Sequence, residues 1–200
     1  MLSIGPLIAL SQKSNSGIGL EAGLNFSNIS NASAINASSQ TGFHAGVLVD
    51  IGGKLIGFRL EVLYSQQGYG FRTDSSSGSV TNEYVSMSEL ATINITKYVQ
   101  LQIGGQTGYL LNAKSTANSQ STGNATFDQI LNYYNRFDYG YGGGIEFHPI
   151  AGLLIGVRYN LSLSNLYKNA FPNSSGASYS PNIDFKNNVI QLSVGYRFSK

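Results

Sequence analysis

The chain has 200 residues, a formal net charge of +2 and no cysteine. This length fits a single domain, the absence of cysteine excludes disulfides and thiolate metal sites, and the small net charge without a basic run argues against nucleic-acid binding. Charged residues make up only 11% of the chain, against roughly 25% in an ordinary globular domain. Glycine (24) and tyrosine (13) are abundant, and both are poor helix formers. The composition therefore indicates a β-rich domain with little charged surface.

The N-terminus is apolar but lacks the basic stretch of a secretory signal. Ala9-Leu10-Ser11, followed by Gln12, has the small-x-small form of a signal-peptidase site. We expect residues 1–16 to be the remnant of a signal peptide or a disordered N-terminal tail, and residues 17–198 to form the domain. No apolar run approaches the ~20 residues that a membrane-spanning helix needs.

Eight segments alternate an apolar residue with a small or polar one, which is the period of a β-strand with one face in an apolar medium. They lie at about residues 17–29, 41–51, 58–64, 83–95, 99–109, 136–147, 153–161 and 190–198. The connections alternate in length. Those near 52–54, 96–98 and 148–152 are short, whereas those at 28–40, 67–82, 113–132 and 164–187 are long and rich in Ser, Asn, Gly and Thr. Short turns at one end and long loops at the other are typical of membrane barrels.

The scarcity of charge decides which face of the sheet is outside. A soluble barrel of the lipocalin kind would turn its apolar face inward and its polar face to water, which would leave an exterior too poor in charge. We therefore predict an all-β fold, an eight-stranded antiparallel up-and-down transmembrane β-barrel with its apolar face against lipid.

This orientation places charged side chains in the lumen, where they must pair with each other or with trapped water. The predicted interior polar network comprises Glu21, His44, Arg59, Glu61, Arg136, Asp138, Glu146, Arg158 and Arg197. Two rows of aromatic residues at the ends of the apolar band match the interfacial girdles of membrane barrels. The predicted girdle residues are Phe43, Tyr64, Tyr109, Phe137, Tyr139, Phe147 and Phe198.

Glu89 is an exception to the alternation in the fourth segment. By parity it shares the outward face with Met87 and Ala91, where a carboxylate would meet hydrocarbon. We expect a β-bulge near Ser88 to turn Glu89 inward; the alternatives are a protonated, partnered or interfacial carboxylate.

At the level of motifs the chain resembles the PorT-like outer-membrane β-barrel proteins. The resemblance covers roughly residues 17–198 and rests on GLNFSNI (23–29), GFHAGV (42–47), EVLYSQQG (61–68), GYLLNAK (108–114), GVRYNL (156–161) and VIQLSVGYRF (189–198). It implies an eight-stranded barrel exported to a Gram-negative outer membrane. The chain departs from the family where Ser88-Glu89 interrupts the fourth strand and where Ser199-Lys200 follows the last aromatic residue.

Few residues are suited to catalysis. His44 and His148 are the only histidines, His44 shares the inward parity, and no pair of histidines or regular acidic loop suggests a metal site. We expect no catalytic residues, no metal and no cofactor. The predicted role is structural, adhesive or surface-binding, through the long extracellular loops; a narrow channel or transport accessory is the alternative, and a lipid-modifying enzyme is third. The expected partners are outer-membrane lipid, the barrel-assembly machinery and an extracellular ligand or envelope protein.

Overall fold

The computed structural model describes residues 16–30, 36–72, 77–117, 134–166, 171–172, 178–179 and 185–199. The strands of this part are β1 (Gly17–Ser30), β2 (Ser38–Gly52), β3 (Ile56–Arg72), β4 (Ser77–Asn94), β5 (Val99–Ala117), β6 (Phe137–Phe147), β7 (Leu153–Ser162), β8 (Phe171–Pro172), β9 (Ser178–Tyr179) and β10 (Lys186–Ser199). Within the described residues, no helix is long and apolar enough to cross a membrane. Of the predicted signal remnant or tail, residues 1–16, only Ser16 belongs to the described part of the chain.

Eight of the strands form a closed antiparallel barrel. Each of β1 to β7 pairs with its neighbour in sequence, and β10 pairs with both β7 and β1, so that the order around the barrel is β1-β10-β7-β6-β5-β4-β3-β2. The closing register runs from Gly17 opposite Ser199 to Ser30 opposite Lys186. The two-residue strands β8 and β9 pair only with each other and lie within the predicted fourth loop. The predicted eight-stranded up-and-down barrel is confirmed.

The two faces of the wall differ in polarity as the alternation predicts. Outward-facing Leu24, Val62 and Leu192 are 48%, 45% and 44% exposed, whereas inward-facing Arg59 and Glu61 are fully buried. An apolar exterior around a polar interior is the reverse of a soluble barrel. The medium that covers this exterior must therefore be apolar, because so many exposed aliphatic side chains in water would be strongly unfavourable.

Above Tyr64, toward the long-loop end, the polarity of the wall reverses. Inward-facing Tyr69 and Val80 are buried in an apolar cluster. On the outward face, Lys114 Nζ lies 3.2 Å from Glu83 Oε1. In this part of the barrel apolar side chains point inward and charged side chains point outward, as in a soluble β-barrel. It therefore lies beyond the apolar band.

The reversal explains an error in the predicted loops. The segment 67–82 was predicted to be a loop, but β3 continues to Arg72 and β4 begins at Ser77. Likewise β5 continues well beyond its predicted end at residue 109. The apolar-outward pattern stops at the boundary of the band while the hydrogen-bonded strands continue. At this boundary Leu111 is an extra residue in β5, because Tyr84 pairs with Leu110 and Glu83 with Asn112.

The predicted bulge near Ser88 is wrong. The pairing of β4 with β3 and with β5 continues without a shift through Ser88 and Glu89. Ser88 is buried and Glu89 is exposed on the outward face. The regular ladder keeps all its backbone hydrogen bonds, and the parity of the strand then places the carboxylate outside.

Candidate functional site

The lumen is filled by side chains that lie in layers along the barrel axis. The layer nearest the short turns is centred on Arg59 of β3, which is fully buried. Its Nε and Nη2 donate to Asp50 Oδ1 and Oδ2 at 2.6 and 2.9 Å, and its Nη1 and Nη2 donate to Glu146 Oε2 and Oε1 at 2.5 and 3.0 Å. One guanidinium therefore joins β2 to β6 across the lumen through two bidentate contacts, the geometry in which arginine binds carboxylates most strongly.

Three further contacts complete this layer. Arg197 Nη1 donates to Asp50 Oδ2 at 3.0 Å. Glu146 Oε1 lies 2.7 Å from His148 Nε2, and Glu146 Oε2 accepts from Gln102 Nε2 at 3.1 Å. Asp50 and Glu146 are each held by two cationic or ionisable partners, so their buried oxygens are satisfied.

The second layer is built around Arg158 of β7. Its Nη1 and Nη2 donate to Glu61 Oε2 and Oε1 at 2.5 and 2.9 Å, and its Nη2 lies 3.7 Å from Glu21 Oε1. Glu21 Oε1 is also 3.7 Å from His44 Nε2. Glu61 lies 3.7 Å from Arg59 Nη1, which connects this layer to the first. Basic and acidic side chains thus alternate along one path of six contacts. The path runs through His44, Glu21, Arg158, Glu61, Arg59, Glu146 and His148.

The third layer consists of amides and hydroxyls. His44 Nδ1 lies 2.8 Å from Asn25 Oδ1. The Asn25 side-chain amide donates to Ser65 Oγ at 3.0 Å and to the carbonyl of Gln66 at 2.7 Å. Since this amide group is the donor in those contacts, its Oδ1 accepts, and His44 Nδ1 carries the hydrogen. His44 is therefore an interior hydrogen-bonding residue with its ring fixed in orientation.

Asp138 lies at the upper edge of the lumen, apart from the guanidinium layers. Its Oδ1 accepts hydrogen bonds from the hydroxyls of Ser162 and Ser164. Above it, the apolar cluster fills the long-loop end of the barrel. The buried members of that cluster are Ile29, Tyr69, Val80, Tyr84, Leu110, Ala113, Tyr134 and Leu166, all at most 6% exposed. A polar section and an apolar section therefore both close the lumen.

Arg136 was predicted to be inside the barrel, but it is exposed. The physical reason is that β6 begins only at Phe137, so the period-two rule does not apply to the residue before it. The other eight predicted interior residues face the lumen, although Arg197 and Asp138 are only partly buried.

The sequence prediction omitted several residues of the network. The alternation places Asp50 inward on β2, where it is 6% exposed, but the predicted network did not include it. His148 lies two residues after Glu146 and keeps its parity although the strand has ended. The side-chain amides of Asn160 and Gln191 also point inward and are joined by a 2.6 Å hydrogen bond. Because these residues are uncharged, only their inward parity in the sequence indicated that they belong to the network.

The predicted girdle residues lie on the outer surface at the two ends of the band. At the long-loop end, the rings of Phe43 and Tyr64 are 5.7 Å apart. At the short-turn end, the Tyr98 and Phe147 rings are 6.4 Å apart, and Lys97 Nζ lies 4.7 Å from the Tyr98 ring centroid. Six of the predicted girdle residues are between 44% and 58% exposed, namely Phe43, Tyr109, Phe137, Tyr139, Phe147 and Phe198.

This arrangement has limited chemical capacity. Arginine keeps its proton in proteins, so a proton cannot be relayed through Arg59 or Arg158. Within the described residues, no group of three or more His, Cys, Asp or Glu side chains could hold a metal ion. What the network does provide is cross-linking of β1, β2, β3, β6, β7 and β10 through the lumen.

Comparison with known proteins agrees with this architecture. The family model of the outer membrane protein beta-barrel domain matches residues 10–168. No curated protein sequence matches the chain. Among solved structures, the chain is similar to Ail, the attachment invasion locus protein of Yersinia pestis, with 18% identity, a TM-score of 0.51 and coverage of 91% of this chain and 99% of Ail.

Two further structures are similar. Ail in complex with the heparin analogue sucrose octasulfate aligns with a TM-score of 0.50 and 18% identity over 92% of this chain and 99% of that one. Neisserial surface protein A aligns with a TM-score of 0.57 and 12% identity over 92% and 98%. At these identities the likeness shows the fold alone, whereas the family match extends over most of the sequence. The chain therefore belongs to the outer membrane protein beta-barrel domain family and is a small outer-membrane barrel embedded in lipid.

Proposed function

We propose that this barrel is a non-conducting surface protein whose extracellular loops bind a ligand or an envelope protein. The observation that carries the proposal is the double closure of the lumen. The Arg59 and Arg158 layers fill the membrane-embedded part, and the cluster around Tyr84 fills the extracellular end. A solute would have to break several buried charge-assisted hydrogen bonds to pass. This counts against the alternative of a narrow channel.

The extracellular end supports a binding role. β3, β4 and β5 extend beyond the apolar band and carry the loops on a hydrogen-bonded platform. The loops are rich in Ser, Asn, Gly and Thr, and Ser, Asn and Gly are the residue types that give antibody paratopes adaptable polar contacts. Ail, named for attachment and solved with a heparin analogue, is a barrel of the same fold. The loop composition of this chain favours a polar ligand such as a glycan.

The remaining assignments concern the subgroup, the route of export and the absence of catalysis. The motifs quoted above favour a PorT-like subgroup, and export with a signal peptide and insertion by the barrel-assembly machinery follow from an outer-membrane location. We propose that the protein has no enzymatic activity, because His44 and His148 both engage lumen side chains and so lie away from the lipid face. The charged lumen is proposed to act as a structural plug, and the aromatic rows as interfacial girdles.

The binding role can be tested with nanodisc-embedded protein on an array of printed neutral and sulfated polysaccharides, heparin included. We expect binding to at least one polysaccharide, and a loss of at least tenfold in affinity when residues 118–131 are replaced by a Gly-Ser segment of equal length. Arg158→Met serves as the matched control, because it perturbs the plug and leaves the loops unchanged. Absence of binding, or equal binding by the loop-replaced protein, would contradict the proposal.

A further inference from the structure

A charged side chain lies on the lipid-facing wall, near the middle of the apolar band. Glu89 is exposed on the outward face of β4, with Val85 and Met87 above it and Ala91 and Ile93 below it on the same face. Among outward-facing residues of the described strands between the two aromatic rows, Glu89 alone is charged. Ionisable residues at such positions are unfavourable in hydrocarbon and mark functional sites.

The described part of the barrel provides no partner for this carboxylate. The sheet neighbours of Glu89 are Leu60 and Gly105, and the Glu89 carboxylate forms no hydrogen bond or ion pair with any described residue. Lys97 belongs to the same hairpin but lies beyond Ile95. The strand from residue 89 to residue 95 alone spans roughly 20 Å, which is more than a lysine side chain can reach.

The wall beside Glu89 is recessed. A Cβ built on Gly105 would have only the carbonyl oxygen of Gly140 nearby, at 3.9 Å, and one on Gly143 only that of Gln102, at 3.4 Å. Gly105 and Gly143 lie diagonally on β5 and β6, because Gly143 pairs with Ile103. Small residues let a second backbone approach closely within a membrane. From Gly143 the recess continues into an open apolar groove of about 650 Å³, lined also by Ile145, Val157, Tyr159 and Ile190.

We propose that Glu89, Gly105 and Gly143 form an intramembrane docking site for a membrane-spanning segment of another protein with a basic side chain at mid-depth. The backbone of that segment lies over the two glycines and its apolar side chains occupy the groove. Its Lys or Arg donates to the Glu89 carboxylate. The ion pair and the small-residue contact thus involve the same partner.

A second copy of this chain is a poor fit. Among the described outward-facing residues of the apolar band there is no Lys or Arg, so another copy has no cation at the depth of Glu89. A two-fold arrangement over the recess would instead bring two Glu89 carboxylates together. Like charges in a medium of low dielectric constant repel strongly.

The test uses full-length protein in phosphatidylcholine vesicles and a synthetic leucine-rich transmembrane helix as the probe, with either Lys or Leu at its centre. A donor dye is attached at Lys54→Cys, which is the only cysteine because the chain has none of its own. Energy transfer from this dye to a dye on the probe reports binding. We expect the Lys probe to bind the wild type at least tenfold more tightly than the Leu probe. Glu89→Gln, which keeps the side-chain shape, should abolish that preference, and Gly143→Leu should weaken Lys-probe binding severalfold.

Glu83→Gln is the matched control, because Glu83 faces outward on the same strand but pairs with Lys114 outside the apolar band; it should leave the preference unchanged. Equal affinities of the two probes for the wild type would overturn the proposal, as would a Lys preference that survives Glu89→Gln. Two labelled barrels could also show energy transfer to each other. If Glu89→Gln removed that transfer, the recess would be assigned to a second copy of the chain, and this result would overturn the proposal as well.

Discussion

Arg158→Met tests whether the lumen network stabilises the barrel. The substitution keeps an unbranched apolar stem and removes two hydrogen bonds to Glu61, at 2.5 and 2.9 Å. The nearest remaining cation to Glu61 is Arg59, at 3.7 Å. Hydrogen bonds to charged groups contribute about 1.5–3 kcal/mol each, and leaving a buried charge without its partner costs about 3–5 kcal/mol. We expect a loss of this size in the free energy of unfolding.

Urea titration of the barrel in lipid vesicles, followed by circular dichroism, measures that loss. A double-mutant cycle with Glu61→Leu separates the pair from its surroundings, and the coupling energy should be about 2–3 kcal/mol. Lys114→Met is the matched control: Lys114 pairs with Glu83, but its side chain is 66% exposed, so the cost should be below about 1 kcal/mol. A cost for Arg158→Met no larger than that control, or strictly additive effects in the cycle, would refute the reasoning.

Three further predictions use the same titration. Leu192→Arg places a cation on the lipid-facing wall opposite Leu24 and should cost roughly 2–4 kcal/mol; an unchanged midpoint would argue against lipid contact there. Tyr84→Ala opens a cavity in the apolar cluster, where Tyr84 is 2% exposed, and should cost about 3–5 kcal/mol; a loss below 1 kcal/mol would show that the cluster is loosely packed. Gly142→Ala should destabilise more than Gly143→Ala, because its Cβ would lie 2.0 Å from Asn160 Oδ1 and 3.0 Å from the carbonyl oxygen of Tyr159, whereas the Cβ at 143 would meet only the carbonyl oxygen of Gln102, at 3.4 Å; equal effects would contradict the assigned faces.

The alternation of residue types was sufficient to predict the strands within the apolar band. A strand such as β10 has the same period-two pattern along its whole outward face, from Ile190 to Phe198, because lipid imposes one requirement on every outward position. The lumen imposes a looser requirement. Inward positions accept Arg, Gly, Asn or Leu as long as the set fills the space, so the sequence predicts which residues are inside but not which of them pair.

The errors lie where a different physical rule applies. The extensions of β3, β4 and β5 beyond the band follow the rules of a soluble sheet, with apolar residues such as Tyr69 inside, and the lipid-facing pattern therefore missed them. For Arg136 the strand has not yet begun. For Glu89 the prediction assumed that a carboxylate would avoid lipid at the expense of the hydrogen-bonded ladder, and the ladder is regular instead.

Conductance in planar lipid bilayers tests the central claim, that this outer-membrane barrel is closed by its own side chains. With Arg59 bound to Asp50 and Glu146 across the lumen, the wild-type protein should insert without producing steady single-channel steps. Folding of the inserted protein is checked by the heat-modifiable gel mobility of the same sample. Stable steps from the folded wild type, enlarged or abolished by Arg158→Met, would contradict the closed lumen and establish a channel.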